Sequence, residues 1–78
     1  MQTATFVRML LVENGLTQGQ AAKIADTTLS TLRRRLYENS FTLPELLKIC
    51  THADVEICFR DKTTGVIRHV INDPEELK

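Results

Sequence analysis

The feature that most constrains this chain is a change of hydrophobic period at Ala53-Asp54. Before it, apolar residues recur at spacings of three and four, as Leu29, Leu32 and Leu36 do, which sets them on one helical face. After it, Val55, Ile57 and Phe59 alternate with Glu56, Cys58 and Arg60, the period of a strand. A chain of 78 residues holds one domain, so both patterns must share one small core. The expected architecture is mainly α: a four- to five-helix bundle over residues 1–54, a β-hairpin over 55–71, and an acidic tail over 72–78. So small a core stabilises a fold weakly, which makes self-association an expectation from length alone.

The helix ends are marked by residue chemistry. Residues 4–13 are densely apolar through Phe6, Val7, Met9, Leu10, Leu11 and Val12, predicting a mostly buried helix, capped by Thr3 or Thr5 and stopped by Asn14-Gly15. Thr17 and Gln20 have capping-box spacing and open a second helix, whose Ala21, Ala22 and Ala25 permit close helix contact. Asp26-Thr27-Thr28 favours a turn with an N-cap, so a third helix starts near Thr28 or Leu29. Its core face is Leu29, Leu32 and Leu36; its outer side is Ser30, Arg33, Arg34 and Tyr37. Asn39-Ser40 stops it. Thr42-Leu43-Pro44-Glu45 then opens a fourth helix with core residues Leu43, Leu46, Leu47, Ile49 and Cys50. In the hairpin, Asp61–Gly65 supplies the loop and Val66–Ile71 the returning strand.

Charge is balanced overall, 10 basic against 10 acidic residues, which removes the simplest argument for nucleic-acid binding. It is unevenly placed, however: residues 27–40 carry a net +2 and residues 72–78 a net −2. The tail acids Asp73, Glu75 and Glu76 read as a solvated terminus. Cys50 and Cys58 lie in apolar surroundings, which suits reduced core thiols better than a disulfide framework. With His52 and His69 they lack metal-site spacing, and no Gly-rich phosphate loop, nucleophile elbow or paired catalytic carboxylates occur. A protein that is not an enzyme, without metal or cofactor, is expected. No stretch reaches membrane-span length and no signal-peptide pattern is seen, so a cytoplasmic location is expected.

Two short helices joined by a tight turn, the second basic outside, describe a helix-turn-helix. Gly15-Leu16-Thr17-Gln18, then Ala22, the turn at Asp26-Thr27-Thr28, and Leu43-Pro44-Glu45-Leu46-Leu47-Lys48-Ile49 together resemble the Cro and phage-repressor (xenobiotic-response-element) type of helix-turn-helix domain, across roughly residues 4–55. The hairpin resembles an extension found on small phage and mobile-element regulators of this class. The resemblance implies a lambda-repressor-like fold and a transcriptional regulator, such as a repressor, bound to double-stranded DNA. It implies that Gln18 contacts a phosphate and braces the recognition helix, that Thr28, Leu29 and Ser30 reach base edges, and that Arg33, Arg34 and Tyr37 take the later outward positions. Arg bonds bidentately to guanine, Ser and Thr are permissive, and an apolar group touches a thymine methyl. Lys23 and Arg35 suit phosphates.

Two departures stand out. Asp26 replaces the turn glycine usual in the family, and Arg35 stands where many members have an apolar residue. Leu29 is core by period and groove by family position. A palindromic operator calls for a homodimer, for which the hairpin residues Ile57, Phe59, Val66, Ile67, Val70 and Ile71 are the candidate surface, beside the alternative that one hairpin face packs on the first and fourth helices. The rival function is a protein-interaction module, antitoxin-like or an inhibitor, on the same scaffold. Arginines free of acid partners favour DNA; arginines paired with Asp26, Glu38 or Glu45 favour the rival.

Overall fold

A computed structural model describes residues 2–71; the acidic tail lies outside the described residues. The chain forms four helices, α1 (Thr3–Glu13), α2 (Gln18–Ile24), α3 (Leu29–Glu38) and α4 (Leu43–His52), then strands β1 (Ile57–Arg60) and β2 (Ile67–Ile71). The expected mainly helical body with a C-terminal hairpin is therefore present, with four helices among the described residues.

Local chemistry accounts for the helix ends. Thr17 and Gln20 make a reciprocal capping box at α2, and Thr42 and Glu45 make another at α4, where Pro44 occupies the first turn. Thr28 caps α3 by accepting from the Thr31 N–H. At the other ends α1, α2 and α4 close alike: the backbone turns left-handed at Gly15, Asp26 and Asp54. The next N–H then reaches back five residues, from Leu16 to Leu11, Thr27 to Ala22 and Val55 to Cys50, so orphan carbonyls at the helix ends are satisfied. Asp26 holds a φ of 58°, a conformation Asp accepts better than most residues. Asn39, left-handed at a φ of 55°, ends α3, and its side-chain oxygen accepts the Ala4 N–H at 3.1 Å.

The core gathers Val7, Leu10 and Leu11 of α1, the alanines of α2, Leu32 and Leu36 of α3, and Leu47, Ile49 and Cys50 of α4. α1 and α2 each pack on both α3 and α4, and Ala21, at 0% exposure, leaves α2 no bulk to hold its neighbours off. Burying aliphatic side chains of this size stabilises by roughly 1.5–3 kcal/mol each relative to exposure.

Several expectations need correction. Neither Thr3 nor Thr5 caps α1; the cap position is Gln2, with no side-chain bond. Only part of α1 is buried, since Met9 is 45% and Val12 82% exposed: a helix packed on one side by α3 and α4 has no second layer to cover the rest. Leu43 is 38% exposed because it begins α4, ahead of the turn that meets the core. Phe41 is buried instead, filling the core from the α3–α4 connection.

β1 and β2 form a two-stranded antiparallel sheet with Ile57 opposite Ile71, Cys58 opposite Val70, Phe59 opposite His69 and Arg60 opposite Ile67. The jump from His69 to Ile67 leaves Arg68 as a bulge on β2. Asp61 Oδ1 accepts the N–H groups of Thr63 and Thr64, and Gly65 takes the left-handed position. These two N–H bonds hold the Asp61 carboxyl below the ordinary carboxylate value. Ile57 packs against the helical core, and of the other strand residues only Ile71 is part-buried. The alternative in which one hairpin face packs on α1 and α4 is thus met only at the base. Cys58, expected in the core, is exposed.

Candidate nucleic-acid interface

The turn at Ala25–Thr28 joins α2 to α3, which pack on each other, and the N-terminal end of α3 lies at the surface. Thr28, Leu29 and Ser30 all lie at the surface there. The Thr28 hydroxyl is engaged at the cap, within 3.0 Å of the Thr31 hydroxyl and 3.3 Å of the Ser30 hydroxyl. Leu29 resolves toward the outside, at 36% exposure against 0% for Leu32 and 4% for Leu36. Leu29 opens α3, so its side chain leans back over the turn that precedes the helix.

Further along α3, Arg33 and Arg34 are exposed and Tyr37 is 87% exposed. Gln18, the first residue of α2, accepts from Arg33 Nε through its side-chain oxygen at 3.3 Å. This bond ties the start of α2 to the middle of α3 and holds the Arg33 guanidinium plane. Lys23 is exposed on the last turn of α2. One surface therefore collects Gln18, Thr28, Leu29, Ser30, Arg33, Arg34 and Tyr37 from the two helices and the turn between them.

Arg35 departs from this set. It is half-buried and its Nε donates to Glu45 at 3.2 Å, with side-chain exposures of 25% and 13%, so its charge is spent between α3 and α4. Glu45 also accepts the Thr42 N–H at 2.8 Å. Burial pushes the Glu45 carboxyl up, yet the Thr42 hydrogen bonds and the Arg35 charge together hold it below the ordinary value. The other ion pair among the described residues, Lys48–Asp26, is longer, at 3.9 Å, and exposed enough to contribute little. Glu38 receives the Ser40 hydroxyl. Arg33 and Arg34 thus keep their charge unneutralised by any acid among the described residues.

Glu45 was one of the three acids that the sequence offered as arginine partners, but which arginine it takes depends on how α3 and α4 pack. The capping-box spacing located Glu45, but not its second role.

Among the described residues no group of three His, Cys, Asp or Glu side chains is close enough to hold a metal ion. Burial pushes the Cys50 thiol up, away from the thiolate needed for nucleophilic chemistry. Among the described residues no helix is long and apolar enough to cross a membrane. No family model matches the chain, and neither a curated protein nor a solved structure does.

Proposed function

We propose that the protein is a sequence-specific DNA-binding regulator acting in the cytoplasm, without a cofactor, in which α2, its turn and α3 work as a helix-turn-helix of the Cro and phage-repressor type. The supporting observation is the unneutralised pair Arg33 and Arg34 on an open face of α3, braced by Gln18 and continuous with Thr28, Leu29 and Ser30. In this reading α3 enters the major groove. Arg34 reads a guanine edge and Ser30 and Leu29 meet the first bases. Gln18 and Lys23 lie against phosphates. Arg35 is an internal tie and drops out of the contact set. A single α3 reads few base pairs, so a homodimer on a palindromic operator completes the reading.

One observation favours the rival, a protein-interaction module: with Arg35 spent on Glu45 and Lys48 beside Asp26, the positive face is small. Selection from random duplex DNA at near-physiological salt separates the two. An enriched inverted repeat supports operator recognition and gives the half-site spacing. Weak, salt-sensitive retention without enrichment overturns it in favour of a protein partner. Arg34→Ala is expected to lose the preference for the selected site while the far-UV circular dichroism is unchanged; undiminished affinity would remove Arg34 from its assigned role.

A further inference from the structure

We propose that the free edge of β1 pairs antiparallel with β1 of a second copy, about a two-fold axis at Cys58, merging two hairpins into one four-stranded sheet. This deepens the proposed function, on which it rests for its biological meaning, by naming the contact that would make a two-fold reader.

A two-stranded sheet has two unpaired edges, and each is a template for another strand. The edges here are not equivalent. On β2 the bulged Arg68 breaks the ladder and His69 follows it, and a bulge with charged neighbours is a common guard against pairing. β1 is unbroken from Ile57 to Arg60, and Cys58, Phe59 and Arg60 on it are exposed. Phe59 leaves 53% of its surface uncovered.

The residue order along that edge then selects a partner. Glu56-Ile57-Cys58-Phe59-Arg60 runs acid, apolar, cysteine, apolar, base. Laid antiparallel on itself about Cys58, it sets Glu56 opposite Arg60 of the second copy twice over, Ile57 opposite Phe59 twice, and Cys58 opposite Cys58. Opposite charges and apolar groups directly across a ladder both stabilise it. A slip of one residue sets Glu56 opposite Phe59 and Arg60 opposite Val55, losing every favourable pair. Within the chain neither Glu56 nor Arg60 has an ion-pair partner among the described residues. An isolated two-stranded sheet is also marginal, whereas four strands are not. The occupant that fits this edge is a copy of itself.

Sedimentation equilibrium of the full chain without DNA tests the proposal, and the expected mass is twice the 8.9 kDa monomer. Glu56→Arg alone and Arg60→Glu alone each place like charges opposite one another and are expected to weaken self-association about tenfold or more. The two together restore the pairing and the dimer. A short bifunctional maleimide should join two chains of the wild type but not of Cys58→Ser. Circular dichroism of each variant establishes that the helices are intact. A monomeric wild type, a dimer indifferent to the single reversals, a double reversal that does not recover, or cross-linking that survives Cys58→Ser would each overturn the sheet. The DNA reading is scored separately, by binding of the charge-reversed monomer to a duplex carrying one half-site. That binding can persist when the dimer fails, and can fail when the dimer persists.

Discussion

The helical body and the hairpin solve the same problem differently. In the body every helix finds a neighbour: α1 and α2 close on α3 and α4, helix ends are capped, and Leu32 and Leu47 are wholly removed from water. The hairpin satisfies its backbone between two strands but leaves Phe59, Val66, Ile67 and Val70 between 36% and 60% exposed. It touches the body chiefly through Ile57. The body buries its core within one chain, though Met9 and Val12 of α1 stay exposed, and its α3 face carries the unneutralised Arg33 and Arg34. The hairpin exposes apolar surface, which marks it as an element that gains from association. Under the proposed function, recognition and assembly lie on separate elements, so each can be altered without the other.

The sharpest break of this comparison is Leu32→Ala against Ile67→Ala. The first opens a cavity in the body and is expected to cost about 2–5 kcal/mol, enough to unfold much of so small a domain. The second, at a half-exposed site, should change monomer stability by less than about 0.5 kcal/mol. Urea denaturation followed at a helix-sensitive wavelength measures both, and equal losses would show the hairpin to be part of the core.

Glu45→Ala comes next, at about 1–3 kcal/mol, because it removes a cap and leaves the half-buried Arg35 unpaired. The same residue gives the body a pH dependence. Its folded-state value lies below the ordinary carboxylate value, so its stabilisation is complete above that ordinary value and lost as pH falls through the folded-state one. Thermal melts of wild type and Glu45→Ala should therefore converge on acidification; a constant gap would assign the loss to packing alone.

Asn39→Ala should cost about 1–2 kcal/mol, from left-handed strain and the lost bond to Ala4, whereas Asn39→Gly should recover the part due to strain. The smallest effect is expected at the turn. Asp26→Gly relieves a left-handed residue and surrenders only an exposed ion pair, so stability should change by no more than about 1 kcal/mol. Removing that acid beside α3 should tighten DNA binding and leave self-association unchanged, which filter binding and sedimentation can check.

What the sequence made legible follows the same division. Most helix ends are written locally: the caps at Thr17 and Thr42 and the stop at Asn39 could be read from neighbouring residues, the left-handed Asp26 came from the family resemblance, and the start of α1 was missed. The alternation of β1 and the glycine loop of the hairpin were equally local. Orientation was not. Met9 and Val12 have the same chemistry as Leu10 and Leu11, and only the position of the other helices decides which pair is covered. Phe41 was overlooked because connections carry no period to place a buried residue. At the candidate interface, the exposure of Arg33, Arg34 and Tyr37 was legible from helical spacing, while the loss of Arg35 to Glu45 depended on where α4 lies.

The bond from the Asn39 side chain to the Ala4 N–H has a consequence for synthesis. It joins residues 35 apart, and the cap position of α1 makes no side-chain bond of its own. The ribosome therefore releases α1 first but cannot supply its terminal acceptor until α3 has emerged and ended. α1 is made before α3 yet has its start secured only after α3 has ended, and a chain stalled before Asn39 would display α1 with a frayed beginning.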